Sequence, residues 1–400
     1  MYFGKNDFVD VPAGMEELLN LFEEIEKGAG AKLKKFLDKA EFKYNIGINE
    51  LVYLPGNSYS ELMRWDLMKG ILKLDFFKSV SKYVRSEFKN EKLRQILEFP
   101  VIFLGATPQN TPALYTLMNY ADLKLGTWYP LGGMYSVIKG MKSVAEEFGA
   151  EFHTSSPVDK LVMDKNQVAA LISNEKEFKL DGLVAAADYH FVEQNLLPEK
   201  YRKYSEKYWD KRVMAPSSLL FYLGIDKKLK GFQHHNLFFD EDFGKHAEEI
   251  YDNPQWPTNP AIYVSNNTIT DPSVAPKGKD NLIILIPVAP DLKDTEETRE
   301  KYFKIVMERL EKITGQEIEK HVVYRKAYAH NDFIKDYNSY KGNAYGLANT
   351  LLQTANLKPR MRNKKVSNLF YTGQLTVPGP GVPPTIISGQ VVADQIEKSL

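Results

Sequence analysis

One segment near the C-terminus constrains this chain more than any other. Residues 368–371 read as a short buried strand, residues 372–385 as a Gly/Pro loop, and Ile386–Ile396 as an apolar helix. Gly373, Gly379 and Gly381 let the backbone approach a ligand where a Cβ would intervene. Pro383, Pro384 and Thr385 stand where a first helical turn tolerates proline and takes a cap. The unsatisfied N–H groups and positive dipole end of such a turn make an anion site.

The rest of the chain must supply what surrounds that loop. Four hundred residues are enough for two or three domains with sizeable cores. Lys+Arg and Asp+Glu balance at 52 each, so bulk charge gives no argument for nucleic acid. The absence of cysteine excludes disulfides, zinc thiolates and a catalytic thiol, and fits a reducing compartment. Met1–Lys5 has no basic segment leading into an apolar core, so no signal peptide is expected. The longest apolar run, Leu282–Ala289, is far short of the roughly 20 residues a spanning helix requires. A soluble or peripheral protein is expected. Aromatic residues make up 12% of the chain, enough to line a long apolar cavity or dock on lipid, and equally compatible with ordinary core.

Periodicity divides the text. Val11 to about Tyr120 is mostly helical: Ala13–Ile25 repeats apolar residues at three- and four-residue spacing, Gly28 and Gly30 stop it, and Leu33–Ile46 resumes it. Ser58–Arg85 predicts a third helical block rich in Phe, Met and Leu. Over residues 61–89 it carries seven basic against four acidic side chains. Such a segment is compatible with lying in a membrane interface and with packing on its own protein. Val158–Met163, Val168–Ser173 and Phe178–Leu180, separated by polar turns, predict a meander. Leu183–Ala187, ending at Asp188, predicts a buried parallel strand. Strands at 218–224, 261–264, 282–288 and 322–327 and a helix from Thr295 to about Thr314 make an α+β region, before a last strand at 366–371.

Hydrolytic chemistry finds no support. There is no Gly-x-Ser-x-Gly elbow and no phosphate-binding Gly-x-x-x-x-Gly-Lys-Ser/Thr loop. The seven histidines lack metal-ligand spacing, and the adjacent His234 and His235 read as strand or loop surface. Gly379–Pro384 looks superficially like a dinucleotide fingerprint, but it lacks the third glycine and a following βαβ unit with an acidic ribose partner.

Several segments in order carry more weight than any one. Trp128–Met134 with Lys139–Met141, Ser156–Leu161, Ala186–Asp188, Thr270–Gly278, Ala344–Leu347 with Gln353, and Gly373 with Gly381–Pro383 resemble, in sequence order, the blocks of bacterial phytoene desaturases within the amine-oxidase-like flavoenzymes. The resemblance implies an α/β fold with an α+β insertion. Its parts are an incomplete Rossmann-like FAD-binding domain, a mixed β-sheet substrate domain and a helical region that is a candidate for membrane docking. The implied boundaries are 1–125 (helical, substrate or membrane docking), 126–200 (part of the FAD domain), 201–358 (substrate-binding α+β) and 359–400 (C-terminal part of the FAD domain). It also implies FAD contacts at Val158, Ala187, Asp188, Gly373, Gly381, Val382 and Pro383. Substrate contacts are implied at Trp128, Tyr129, Pro130, Gly132 and Gly133.

The activity so implied is FAD-dependent desaturation of phytoene towards neurosporene or lycopene. A hydroxycarotenoid desaturase, a carotenoid isomerase and an inactive fragment are the alternatives. Implied partners are a long apolar polyene, the inner face of the cell membrane reached peripherally from the cytoplasm, and a second copy of the chain, with no nucleic acid. Two departures stand out. No Gly-x-Gly-x-x-Gly occurs before the helical region, although the βαβ unit it opens would need at least about 30 residues. The resemblance therefore implies a fragment or a reading frame begun late, with the main pyrophosphate cradle missing. Where many relatives place a basic residue between the proline and Gly-Gly, this chain has Leu131. No residue is assigned as catalytic proton acceptor.

Overall fold

The computed structural model describes residues 1–58, 78–104, 107–350 and 353–399. In chain order its main elements are β1 (Tyr2–Gly4), β2 (Asp7–Phe8), α1 (Met15–Ile25), α2 (Ala29–Ile46), α3 (Val80–Glu87), α4 (Glu91–Glu98) and α5 (Tyr135–Glu147). They continue with β3 (Lys160–Asp164), β4 (Gln167–Ser173), β5 (Lys176–Lys179), β6 (Leu183–Ala185), β7 (Ser217–Ile225), β8 (His235–Phe238), α6 (Phe243–Tyr251), β9 (Ile262–Ser265) and β10 (Asp280–Val288). The last are α7 (Glu296–Thr314), β11 (Val322–Tyr328), β12 (Leu369–Tyr371) and α8 (Val382–Glu397). The chain divides into two interleaved units, one of residues 1–11, 127–154 and 217–333, the other of residues 12–126, 155–216 and 334–400. These units cut across the boundaries implied by resemblance.

The first unit is built on a seven-stranded sheet in the order β11-β7-β10-β9-β8-β1-β2. β7 and β10 pair antiparallel along their full length, from Asp280 opposite Ile225 to Val288 opposite Ser217. Their period-two apolar pattern sends Leu219, Phe221, Leu223, Ile225, Leu282, Ile284, Ile286 and Val288 into the core. α7 covers them with Tyr302, Phe303, Val306, Met307, Leu310 and Ile313, the three- and four-residue spacing of one helical face. Each such burial contributes about 1.5–3 kcal/mol. Thr295 caps the start of α7 by accepting the N–H of Thr298, and Gly315, at φ +67°, ends it in the left-handed conformation. The strands and the helix expected here are present. β1 joins the sheet parallel to β8, with the Tyr2 and Phe238 rings stacked at 4.6 Å.

The second unit begins with packed helices. Leu18 and Phe22 of α1 bury with Leu33, Phe36 and Leu37 of α2. The sequence expectation that Gly30 stops a helix is not met: Gly30 lies inside α2 and permits close approach, because a Cβ there would stand 2.7 Å from the Leu19 carbonyl oxygen. Most of the third helical block, including Phe76 and Phe77, falls outside the described residues. Its described end packs inward: Val80, Tyr83, Val84 and Phe88 are buried, and Phe36 meets Tyr83 and Phe88 ring to ring. Among the described residues no helix is long and apolar enough to cross a membrane.

The meander forms as the alternation predicts, in the order β3-β4-β5. β6 and β12 make a parallel pair, Leu183 opposite Leu369 through Ala185 opposite Tyr371. Burial of β6 is less complete than expected, for Val184 is 39% exposed. Asn368 links the two sheets: its amide brackets the N–H and C=O of Val168 and donates to the Asp181 carbonyl.

Candidate functional site

In parallel sheets ligands bind beyond the carboxyl ends of the strands. β6 and β12 run side by side, so Ala187 and Asp188 on one and Gly373 on the other leave the same edge. The N–H of Thr372 extends that pairing by donating to the Ala185 carbonyl at 3.1 Å. Gly373 has φ +105°, a backbone conformation that other residues rarely adopt, and a Cβ on it would meet the Ala186 carbonyl oxygen, just past the end of β6, at an ordinary contact distance of 3.8 Å.

The loop that follows is locked from α8 by a residue the sequence reading missed. The Ser388 hydroxyl, fully buried, accepts the Gly373 N–H at 2.9 Å. It also hydrogen-bonds the hydroxyls of Thr372 at 2.7 Å and Thr376 at 3.1 Å, and Thr376 donates to the Gly373 carbonyl at 2.8 Å. A lone serine in an otherwise apolar stretch of helix was the available signal. Gly379 and Gly381 have φ +135° and +109°, and Gly381, Val382 and Pro383 are exposed at the start of α8. The first turn offers fewer anion-binding donors than expected. Pro383 and Pro384 have no N–H, and the Thr385 N–H is taken by the Gly381 carbonyl, so Val382 supplies the remaining one.

The other positions expected to touch the cofactor are in the same unit. Val158 precedes β3 and packs on the core shared by the meander and the β6–β12 pair. Asp188 is committed to backbone: one carboxylate oxygen accepts the Phe191 N–H at 3.0 Å and the other the Tyr340 N–H at 3.1 Å. Burial raises its pKa, against those hydrogen bonds. Gln353 clamps Val213 from both ends of its amide, at 2.9 and 2.7 Å. The glycine-lined edge suits a dinucleotide flavin, and two buried polar atoms beside Gly379, Asn349 Oδ1 and Lys358 Nζ, have no protein partner among the described residues.

The expected substrate positions lie in the first unit. Gly132 and Gly133, at φ +84° and +92°, make a turn closed by Gly133 N–H donating to the Pro130 carbonyl at 3.0 Å. Asp271 holds that turn by accepting the Gly132 N–H at 2.6 Å, while its other oxygen accepts the N–H and hydroxyl of Ser273. These bonds hold the Asp271 carboxyl below its ordinary range, Ser273 first and Gly132 second. Thr270, next along, hydrogen-bonds the His234 ring at 2.6 Å, and His234 meets Tyr129 edge-on at 4.8 Å. His235 hydrogen-bonds Tyr263, and burial with the adjacent His234 pushes its pKa down to about 4. Trp128 is 87% exposed.

Residues 2–397 match the family described as flavin containing amine oxidoreductase. The carotenoid 3,4-desaturase of Haloarcula japonica is 36% identical over 397 residues, which cover 99% of this chain and 80% of that protein. The zeta-carotene-forming phytoene desaturase of Myxococcus xanthus is 28% identical over 384 residues, 94% of this chain and 72% of that protein. A putrescine oxidase, solved in a structure-based redesign of cofactor binding, aligns with a TM-score of 0.55 at 12% identity over 91% of this chain and 75% of its own.

Proposed function

The chain belongs to the flavin containing amine oxidoreductase family, and from that premise we propose that it desaturates phytoene, a linear C40 carotenoid precursor, towards neurosporene or lycopene. It is an oxidoreductase acting on CH–CH bonds, its cofactor is FAD, and its reaction is carotenoid desaturation. The observation that carries the reading is the alignment with carotenoid desaturases over nearly the whole chain.

Making a C=C bond removes a hydride and a proton from adjacent carbons, and bound FAD supplies the hydride acceptor that no side chain can provide. The protein's part is to position and to keep water out. Gly373, Gly379 and Gly381 give the cofactor access to backbone, and Ser388 holds the intervening loop in one shape. Tyr129 and Pro130, with the turn that Asp271 fixes, offer aromatic and apolar surface to a polyene. Because the proposed substrate is confined to lipid, the proposal includes peripheral contact with a membrane, taken to be the cytoplasmic face of the cell membrane.

A second reading is favoured by the higher identity to the 3,4-desaturase, 36% against 28%. On that reading the new bond goes near the end of an already conjugated chain. Product analysis with FAD and membrane-borne phytoene or lycopene separates the two. Phytoene converted to a red-shifted polyene supports the first reading. Phytoene left intact while lycopene gains a bond supports the second, and neither substrate changing overturns both.

A further inference from the structure

Lys358 and Asn349 pose a problem that the described residues do not solve. Their side chains are buried, the residues being 3% and 7% exposed. Lys358 Nζ and Asn349 Oδ1 have no hydrogen-bond partner among the described residues. Both converge on Gly379 in the loop after β12: a Cβ built there would stand 3.5 Å from Lys358 Nζ and 3.4 Å from Asn349 Oδ1. Burying an ammonium without a counter-charge is among the most unfavourable choices a fold makes, and a methionine of similar size would avoid it. Native interiors leave few such groups, and those that persist call for a reason outside ordinary packing.

The pair is chemically complementary, one atom donating and the other accepting. It suits a ligand edge that carries a carbonyl oxygen beside an N–H. FAD has such an edge on the pyrimidine ring of its flavin, where N3–H lies between two carbonyls. Adenine, with its ring nitrogen and amino group, offers a weaker counterpart. The position favours the flavin, because Gly379 belongs to the glycine loop leading from the carboxyl end of β12 into α8. We propose that Lys358 and Asn349 hold the pyrimidine edge of the flavin, Lys358 donating to a ring carbonyl and Asn349 accepting from N3–H. The assignment rests on FAD being the cofactor and is independent of which polyene is desaturated. A cation at that edge also favours the electron-rich reduced ring, so Lys358 raises the reduction potential of the bound cofactor.

The test uses the complete chain and the variants Lys358→Met, Lys358→Arg and Asn349→Leu, with FAD and AMP as probes. FAD affinity is read by flavin fluorescence, the ring environment by the visible spectrum, and the midpoint potential by dye equilibration. Thermal unfolding without cofactor reads stability. Lys358→Met is expected to weaken FAD binding roughly ten- to hundredfold, as loss of a hydrogen bond to a charged group does. It should also shift the visible bands and lower the potential, while the cofactor-free protein melts no earlier than wild type. Lys358→Arg should restore part of the affinity, Asn349→Leu should weaken FAD with a smaller change in potential, and AMP should bind all variants alike.

Unchanged FAD affinity, spectrum and potential in Lys358→Met would overturn the proposal, as would an earlier melt with intact flavin properties. Loss of AMP affinity with an unchanged visible spectrum would move the pair to the adenine end and overturn it too. Failure of the wild-type chain to bind FAD would remove its premise, an outcome visible before any variant is made. Polyene turnover enters none of these readings.

Discussion

The carboxylate of Asp271 accepts the backbone N–H of Gly132 at 2.6 Å across 139 residues of sequence. Two turns that look independent in the text are thereby one device: Asp271 sets the shape of Ser273 with one oxygen and the Gly-Gly turn with the other.

Asp271→Ala should therefore free the Trp128–Gly133 segment while leaving the seven-stranded sheet intact. Limited proteolysis or amide exchange at residues 128–134 reads this directly. Asp271→Asn, which keeps an acceptor, should lie between the two. The carboxyl titrates below its ordinary range in the fold, so its contribution is complete above the unfolded value and is lost as pH falls through the depressed one. Protection of the turn should fall in acid in wild type and stay level in Asp271→Ala. Equal exchange in wild type and Asp271→Ala at neutral pH would refute the link.

Gly346 carries a different constraint. Its φ is +77°, and a Cβ on it would stand 2.7 Å from the Gln374 carbonyl oxygen, a backbone atom. Its N–H is fixed by Asn343 Oδ1 at 2.7 Å and its carbonyl by Ala215 N–H at 2.8 Å, so it cannot move aside cheaply. Gly346→Ala should destabilise by about 1–3 kcal/mol from backbone strain, with the overlap adding to it. Denaturant titration against wild type measures the loss, and an unchanged midpoint would show that the loop yields.

What could be read from sequence depended on the range of the interaction behind each feature. β7, β10 and α7 announced themselves because alternation and helical spacing are local records of which face is buried. Gly30 was misleading because a glycine that ends a helix and one that admits a neighbouring helix look alike until Leu19 is placed against it. The glycine loop was legible as a ligand approach, yet Ser388 and Lys358 were not. Their roles exist only once Gly373 and Gly379 are folded against them. The thin supply of donors at the start of α8 was written in Pro383 and Pro384 from the outset, for the residues that favour a helix start also remove its N–H groups.

Ser388→Ala tests the loop lock. It leaves the Gly373 N–H without its acceptor in a buried position, a cost of about 1–3 kcal/mol. The change should also loosen residues 372–376 and weaken FAD binding without altering the helical content of α8. Ser388→Thr keeps the hydroxyl and should recover much of the loss if the added methyl is accommodated. Wild-type stability and FAD affinity in Ser388→Ala would show that the loop holds its shape without this hydroxyl.

α5 has no buried side chain, and Tyr135, Ile138, Met141, Val144 and Phe148 form an exposed stripe at helical spacing. The 400-residue chain should therefore associate in solution. Replacing Ile138 and Val144 together by serine should raise the monomer fraction in sedimentation velocity and lower binding of an apolar dye. Both changes lie on an exposed face, so stability should move little. Identical sedimentation of wild type and variant would show that the stripe does not drive association.

Lys358 gives the cofactor-free protein a pH dependence of unusual sign. Burial pushes its ammonium down to about 7 from the ordinary lysine range, with no charged group among the described residues contributing to the shift. Below that value both folded and unfolded chains carry the proton, and the folded chain bears the full penalty of burying the charge. As pH rises towards the unfolded lysine value, the folded chain binds fewer protons than the unfolded one, so this residue's contribution to stability improves. Lys358→Met removes the penalty at every pH. Its thermal midpoint should exceed wild type most at pH 6, by less at pH 9, and the two curves should converge further in alkali. A difference that stays constant from pH 6 to pH 9 would mean that Lys358 is not buried as a titrating cation, and the ligand role drawn from that burial would fall with it.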